Sequence, residues 1–386
     1  MKPDFSGRPS ILVVIGTRPE AIKMAPLIRR LQASPDFRVL VCSTGQHREM
    51  IRQVFELFAI RPDIDLDIMQ ADQKLNELAA RVLAGMESAL AEHRPGRVLV
   101  HGDTTTTVAS ALAAYHQKIP VGHVEAGLRT RDIYSPWPEE LNRRLTDAIA
   151  DRLYAPTNFA QENLLAEGVP PDRVIVTGNT VIDALLDIAN GPLSDAHIKA
   201  RLDTRLPFFS NCKKTILVTC HRRESYGSGF QDVCAALQEL AQRPDVQIVF
   251  PIHRNPNVRT AFSVLDSMPN IKLIDPMDYL DFVYALSKSY LILTDSGGVQ
   301  EEAPSLGKPV LVMREVTERP EAVLAGTAKL VGTNTDSIVS ATSALLDNFA
   351  MYEAMSTIHN PYGDGRACDR IIESLTRDFD HAARLS

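Results

Sequence analysis

The stretch 294–309, TDSGGVQEEAPSLGKP, continues from the apolar run 290–294 (YLILT), which is typical of a buried parallel strand. We expect the small residues 296–298 to form a tight loop and a helix to begin at Val299. Free backbone N–H groups and the helix dipole attract anions at a helix start, and glycine lets a phosphate come close to the backbone. The stretch therefore predicts an anion-binding site at a strand end. The alternative is an ordinary strand-to-helix turn with a helix cap.

Two acidic residues, Glu301 and Glu302, lie in the first turns of this predicted helix. Their charge is unusual in a site that binds phosphate alone. They fit a site in which one carboxylate accepts a hydrogen bond from a sugar hydroxyl, such as that of a ribose. The stretch thus predicts contact with a sugar as well as with a phosphate.

The composition limits the classes of protein to which the chain can belong. Its 386 residues suffice for two domains, and a hydrophobic content of 45% suffices for large cores. A net charge of −7 argues against a nucleic-acid partner. Since no long apolar run is present and the first residues lack a signal-peptide core, we expect neither a membrane partner nor export. Five scattered cysteines without CxxC spacing fit a reducing cytoplasm and argue against structural zinc.

Short apolar runs alternate with helical segments along the whole chain, which predicts an α/β protein with parallel sheets. The predicted strands are 11–15, 39–42, 98–100, 121–124, 153–155, 174–176, 216–218, 247–250, 271–274, 291–293, 310–313 and 330–331. We therefore predict two Rossmann-like, doubly wound domains that face a cleft. The first comprises residues 1–178 and the C-terminal helix 367–386, and the second comprises residues 179–366. Ligands of such sheets bind beyond the carboxyl ends of the strands.

Two basic residues, Arg18 and Lys23, follow the first predicted strand in GTRPEAIK. Both lie near the start of a helix, where two cations suit a diphosphate. Ordinary surface positions are the alternative. The motif lacks the GxGxxG pattern, so we predict no dinucleotide cofactor.

Three carboxylates stand at strand ends or at the start of a helix in the first half. Asp103 lies in HGDTTTT, Glu125 in HVEAGLRT and Glu139 in YSPWPEELNRR. Each has a simpler explanation. Asp103 could cap the next helix, Glu125 could pair with Arg129, and the helix dipole could stabilise the charge of Glu139. Taken together, they predict acid–base groups that face the anion site of the second half.

Histidines also follow two strands of the second half, His221 in HRRE and His253 in HRNP. They come from different strands and lack the i, i+4 spacing of helical metal ligands. We therefore predict no metal site, and we interpret His221 as a phosphate contact.

Ten ordered motifs between about residues 11 and 326 resemble those of the bacterial, non-hydrolysing UDP-N-acetylglucosamine 2-epimerases. The motifs are GTRPEAIKMAPLI, TGQHREM, HGDTTTT, HVEAGLRT, YSPWPEELNRR, TGNTVID, CHRRE, PIHRNP, TDSGGVQEEAP and TERPEA. The resemblance implies a glycosyltransferase-B-like fold and the interconversion of UDP-GlcNAc and UDP-ManNAc. It also implies a homodimer without a cofactor, which supplies ManNAc-type sugars for surface polysaccharides.

The resemblance also implies roles for individual residues. The catalytic positions are Asp103, Glu125, Glu139 and His221. The substrate-binding positions are Arg18, Lys23, Asp103, Glu125, His221, Met277, Phe282, Ser296, Gly297, Gly298, Glu302 and Arg319. Met277 stands where many relatives have Gln, so we expect it to pack on the uracil base rather than to form a side-chain hydrogen bond. Gln46 and His47 are expected to contact a second UDP-GlcNAc that acts as an activator.

The implied route is elimination of UDP to 2-acetamidoglucal, followed by re-addition with the proton delivered to the opposite face of C2. Such a route needs stabilisation of the diphosphate charge, a base, an acid and a closed cleft. Four alternatives remain. They are an epimerase of a modified UDP-2-acetamido sugar, a glycosyltransferase-B-type UDP-sugar transferase, a hydrolysing relative that releases free ManNAc, and a nucleotide-sugar sensor without activity.

Overall fold

The structure, a computed structural model, describes residues 8–45, 48–70, 73–210, 213–220, 228–252 and 256–385. The chain divides into two compact units. The first unit comprises Met1–Ala184 and Gly363–Ser386, and the second unit comprises Leu185–Tyr362.

The first unit contains a parallel sheet with the strand order β3-β2-β1-β4-β5-β6-β7. The strands are β1 (Ser10–Ile15), β2 (Arg38–Ser43), β3 (Ile64–Asp65), β4 (Arg97–His101), β5 (Val121–Val124), β6 (Arg152–Ala155) and β7 (Val174–Val176). The helices that alternate with them are α1 (Arg18–Ala33), α2 (Arg48–Leu57), α3 (Leu75–His93), α4 (Thr105–His116), α5 (Glu139–Ile149) and α6 (Asn158–Ala166). The next helix, α7 (Thr180–Asn190), begins in the first unit and ends in the second unit. Central strand residues such as Leu12, Leu99 and Leu153 are fully buried, because helices cover both faces of a doubly wound sheet.

The second unit contains a parallel sheet with the strand order β10-β9-β8-β11-β12-β13. The strands are β8 (Lys214–Thr219), β9 (Val246–Pro251), β10 (Ile271–Ile274), β11 (Leu291–Thr294), β12 (Val310–Val312) and β13 (Ala328–Leu330). The helices are α8 (Ala196–Arg205), α9 (Ser228–Leu240), α10 (Pro256–Phe262), α11 (Tyr279–Lys288), α12 (Gly297–Glu302), α13 (Pro320–Ala325), α14 (Thr335–Asp347) and α15 (Phe349–Ser356).

The last helix, α16 (Ala367–Leu385), belongs to the first unit, where it packs against α1. Its Asp378 carboxylate accepts hydrogen bonds from Arg152 Nε at 2.9 Å and from Arg152 Nη2 at 2.7 Å, which ties the helix to β6. Within the described ranges, every helix is too short or too polar to cross a lipid bilayer.

Each sheet has one point at which the strand order reverses, between β1 and β4 in the first unit and between β8 and β11 in the second unit. Loops leave such a switch point toward opposite faces of the sheet, which opens a crevice for a ligand. The candidate residues of the first unit follow β1, β4 and β5, and the glycine-rich stretch of the second unit follows β11. The topology therefore places both groups at positions where α/β proteins bind ligands.

The predicted α/β class with two parallel sheets is confirmed, and every predicted strand overlaps an observed one. Two details were wrong. The sequence analysis missed β3, because two residues make too short an apolar run. Residues 296–298 were predicted as a loop, but α12 begins at Gly297 and both glycines lie in its first turn.

Candidate active site

Glu125 follows β5 and is held by three neighbours in the first unit. Lys23 Nζ forms an ion pair with Glu125 Oε2, and Asn179 Nδ2 donates to the same oxygen at 2.8 Å. His101 Nε2 lies 3.8 Å from that oxygen, and burial lowers the pKa of His101 to about 3. Glu125 is therefore a partly buried carboxylate beside a cation and a neutral imidazole.

The alternative that paired Glu125 with Arg129 is wrong. Glu125 has a left-handed backbone with φ of 67°, so the segment after β5 does not continue as a helix that would bring residues four apart together. Arg129 instead bonds Glu167 through Nε at 2.8 Å and Asp147 through Nη2 at 2.8 Å.

Asp103 follows β4 and is bound by α5. Arg143 donates to Asp103 Oδ2 from Nε at 3.1 Å and from Nη2 at 2.5 Å. Asn142 Nδ2 donates to the Asp103 carbonyl at 2.9 Å. The alternative that Asp103 caps the next helix is also wrong, because Thr104 is the N-cap of α4 and accepts from the Thr107 N–H at 3.1 Å.

Glu139 is the first residue of α5, in accord with its expected position at the start of a helix. Its Oε2 atom is buried without a hydrogen-bond partner among the residues that the structure describes. Buried carboxylate oxygens usually have a partner, and an unsatisfied one marks a position where a ligand or water is expected. The neighbouring Glu140 is fully buried and accepts from Arg143 Nη1 at 3.1 Å, so Arg143 links Asp103 to the first turn of α5.

Glu20 is a buried acidic residue that the sequence analysis did not assign. Its carboxylate accepts from the Gly16 N–H at 2.9 Å, Thr104 Oγ1 at 2.7 Å and Thr107 Oγ1 at 2.9 Å. Burial raises its pKa, although these hydrogen bonds act in the opposite direction. Glu20 therefore joins the segment after β1 to the start of α4, and the spacing Thr17-x-x-Glu20 of a capping box was the signal that could have found it.

In the second unit, Ser296 is the N-cap of α12, and its N–H donates to Thr294 Oγ1 at 2.9 Å. A Cβ placed on Gly298 would meet only Glu302 Oε2 within 4 Å among the described atoms, at 3.9 Å. The start of α12 is therefore open enough for another group to approach its backbone.

The acidic residues of α12 have partners in the second unit. Glu302 Oε1 accepts from the Tyr279 hydroxyl at 2.9 Å, and Glu301 Oε1 accepts from Arg319 Nε at 2.5 Å. Met277 and Phe282 are half-buried, the first shortly before α11 and the second within it. The second unit thus holds these substrate-binding candidates around β11 and α11.

Three predicted site residues, Gln46, His47 and His221, lie outside the described residues. Within the part of the chain that the structure describes, no group of three His, Cys, Asp or Glu side chains is arranged to hold a metal ion.

Comparisons with known proteins identify the family of the chain. A family model described as UDP-N-acetylglucosamine 2-epimerase matches residues 29–376. The UDP-N-acetylglucosamine 2-epimerase of Escherichia coli strain K12 is 56% identical over 367 residues, which cover 95% of this chain and 98% of that protein.

Solved structures extend the likeness to the fold. The UDP-GlcNAc 2-epimerase of Neisseria meningitidis, solved with UDP-GlcNAc bound, has a TM-score of 0.90 and 51% identity over 95% of this chain and 100% of that chain. The Methanocaldococcus jannaschii UDP-GlcNAc 2-epimerase, in complex with UDP-GlcNAc and UDP, has a TM-score of 0.80 and 35% identity over 95% and 99% of the two chains. The chain therefore belongs to the UDP-N-acetylglucosamine 2-epimerase family, and it is an enzyme with the glycosyltransferase-B-like fold of that family.

Proposed function

We propose that this enzyme interconverts UDP-GlcNAc and UDP-ManNAc without a cofactor. The observation that carries the proposal is the grouping of Asp103, Glu125 and Glu139 in the first unit. They come from three separate segments, which two neighbours connect: Arg143 on α5 bonds Asp103, and His101 at the end of β4 lies 3.8 Å from Glu125. Carboxylates are suitable general acids and bases, and inversion at a carbon needs one group on each face of the sugar.

The proposed route is elimination followed by addition. A carboxylate removes the C2 proton while the C1–O bond to UDP breaks, and its electrons leave with the diphosphate. The products are 2-acetamidoglucal and UDP. UDP then adds back at C1 while a second carboxylate delivers a proton to the opposite face of C2, so that atoms and charge balance without an oxidant.

The diphosphate that leaves carries the developing negative charge. We propose that Arg18, Lys23 and His221 stabilise it, together with the start of α12 at Ser296, Gly297 and Gly298. Lys23 bonds Glu125, so a phosphate that binds Lys23 would change the charge beside that carboxylate. This contact would couple substrate binding to the acid–base group.

The second unit is proposed to bind the nucleotide. Met277 and Phe282 would pack on uracil, Glu302 would accept from a ribose hydroxyl, and Arg319 would contact the nucleotide. The first unit would supply the acid–base carboxylates.

We propose further that the enzyme is a cytoplasmic homodimer that supplies sugars for surface polysaccharides, and that a second UDP-GlcNAc activates it through Gln46 and His47. The four described cysteines, Cys42, Cys220, Cys234 and Cys368, are buried and form no disulfide with one another.

Proton NMR of UDP-GlcNAc with the enzyme in D₂O, without an acceptor, tests the reaction. We expect UDP-ManNAc with deuterium at C2, and a slow release of glucal on long incubation.

A product without deuterium at C2 would contradict proton abstraction, and free ManNAc would indicate a hydrolysing enzyme. No reaction until an acceptor is added would indicate a transferase, while binding without any turnover would indicate a sensor. A panel of modified UDP-2-acetamido sugars in the same assay tests the substrate.

A further inference from the structure

His123 is a fully buried residue of β5 whose two ring nitrogens both face oxygen atoms. Nδ1 lies 2.6 Å from Asp147 Oδ1, and Nε2 lies 2.7 Å from the Gly102 carbonyl oxygen. A carboxylate and a backbone carbonyl are acceptors only, so each contact needs an N–H on the ring. The ring makes both hydrogen bonds only in its doubly protonated form.

The contacts of His123 join the three segments that carry the candidate acid–base carboxylates. Gly102 directly precedes Asp103, and it has a left-handed backbone with φ of 67°. Glu125 lies two residues after His123, and Asp147 lies on α5, the helix that begins at Glu139. One buried imidazole therefore connects the ends of β4 and β5 with α5.

Asp147 makes this connection part of a larger network. Its Oδ2 atom accepts from the Gly127 N–H at 3.3 Å and from Arg129 Nη2 at 2.8 Å. Burial acts to raise the pKa of Asp147, but His123 and Arg129 outweigh it, so the pKa lies below its usual range. Removal of one partner from such a buried group leaves a charge uncompensated.

We propose that His123 and Asp147 are a positioning pair that holds Asp103, Glu125 and Glu139 in their relative places. The inference rests on the proposed function of these three carboxylates. Displacement of a reacting group by about 1 Å can lower a rate about 10²-fold, so the loss of one hydrogen bond in this pair should slow turnover more than it weakens binding.

Two conservative variants separate the two hydrogen bonds. The amide nitrogen of His123→Asn lies near the place of Nδ1 and can still donate to Asp147, whereas that of His123→Gln lies near Nε2 and can donate to Gly102. We expect each to lower kcat about 10- to 100-fold, with KM for UDP-GlcNAc and Kd for UDP within about threefold of wild type. The control is His116→Gln on α4, which is exposed and should leave all three constants unchanged.

Asp147→Asn keeps the shape of the Asp147 side chain and removes its negative charge. It tests the positioning role if the His123 variants do not fold. We expect the same loss of kcat with unchanged UDP affinity. Near-normal kcat in a folded variant of either residue, or a loss of UDP binding equal to the loss of kcat, would overturn the positioning role.

Nitrogen-15 NMR of histidine-labelled enzyme gives a readout that does not depend on turnover. We expect His123, identified by the signals that disappear in His123→Asn but persist in His116→Gln, to have both ring nitrogens protonated. A singly protonated ring at His123 would overturn the inference. Suppose that the wild-type enzyme does not epimerise UDP-GlcNAc but the doubly protonated ring is present. The proposed function is then refuted, whereas the connection of the three segments through His123 is supported.

Discussion

The two units hold their strand-end groups in different ways. In the first unit, Asp103 and Glu125 are fixed mainly by charged side chains from other segments, Arg143 and Lys23. In the second unit, the stretch after β11 presents backbone at the start of α12, and its acids are paired with Tyr279 and Arg319 nearby. Side chains that transfer protons must be placed by other side chains, whereas an anion can be bound by backbone N–H groups.

The glycines show the same contrast. Gly127 in the first unit has φ of 85°, and a Cβ there would lie 2.3 Å from the Ala160 carbonyl oxygen. A Cβ on Gly298 in the second unit would meet only Glu302 Oε2 among the described atoms within 4 Å, at 3.9 Å. At these two positions glycine therefore serves tight packing in one case and access to the backbone in the other.

The largest effect should come from removing a proposed acid–base group of the first unit. We expect Asp103→Asn and Glu139→Gln each to lower kcat about 10²–10⁴-fold, the usual contribution of a general acid or base. UDP affinity, measured by calorimetry, should stay within a few-fold of wild type because the second unit is proposed to hold the nucleotide. The matched control is Glu162→Gln on the exposed face of α6. Turnover near that of wild type in both variants would remove these residues from the chemistry.

Gly127→Ala should cost the most stability. The left-handed backbone and the contact with the Ala160 carbonyl together predict a loss of about 3 kcal/mol in the free energy of unfolding. Gly168→Ala is the matched control, because Gly168 has φ of 84° but no atom within 4 Å of its Cβ position among the described residues. It should lose only about 1 kcal/mol, measured by urea unfolding. Equal losses of stability in the two variants would show that the left-handed backbone alone causes the loss, without a contribution from the contact with Ala160.

Acid should destabilise the fold through His101 in the first unit. Burial lowers the pKa of His101 to about 3, whereas a histidine in an unfolded chain has a pKa of about 6.5. Between these values the unfolded chain binds a proton that the folded chain does not, so the free energy of unfolding falls as the pH falls. Over the whole window the effect is on the order of a few kcal/mol.

Unfolding in urea at pH 7.5 and pH 5 measures this effect. The difference between the two free energies should be smaller in His101→Asn than in wild type. His116→Gln, at an exposed position, should keep the wild-type difference. The same pH dependence in His101→Asn as in wild type would contradict the assignment.

Gly298→Ala should have the smallest effect on stability and a selective effect on binding. Alanine favours a helix over glycine by about 0.5–1 kcal/mol, and its methyl group meets little, so Tm should be unchanged or slightly raised. If a diphosphate approaches this backbone, Kd for UDP should rise about tenfold. Unchanged affinity would show that the anion does not come close to Gly298.

The sequence was sufficient for the fold class because the core strands are continuous apolar runs. It was insufficient for β3, where Ile64 and Asp65 pair with the edge of β2 through backbone hydrogen bonds that leave no apolar pattern. It was also insufficient at residues 296–298, since glycine adopts helical and loop conformations with similar ease.

Pairing between distant side chains was hardest to predict. A pair between Arg129 and its neighbour Glu125 was the simpler alternative, but the partners of Arg129 lie on α5 and just beyond α6. Glu20 carried a local capping signal, whereas its bonds to Thr104 and Thr107 depend on the adjacency of β1 and β4. The strand-end motifs pointed to Asp103, Glu125 and Glu139 as candidates, and the tertiary contacts added how they are held.

The division of the chain has a consequence for biosynthesis. The second unit is one continuous segment, whereas the first unit is completed only by Gly363–Ser386. Domains fold as units while the ribosome releases the chain from its N-terminus. The hydrogen bond between Arg152 on β6 and Asp378 on α16 cannot form until α16 has left the ribosome. The second unit can therefore finish folding before the first unit.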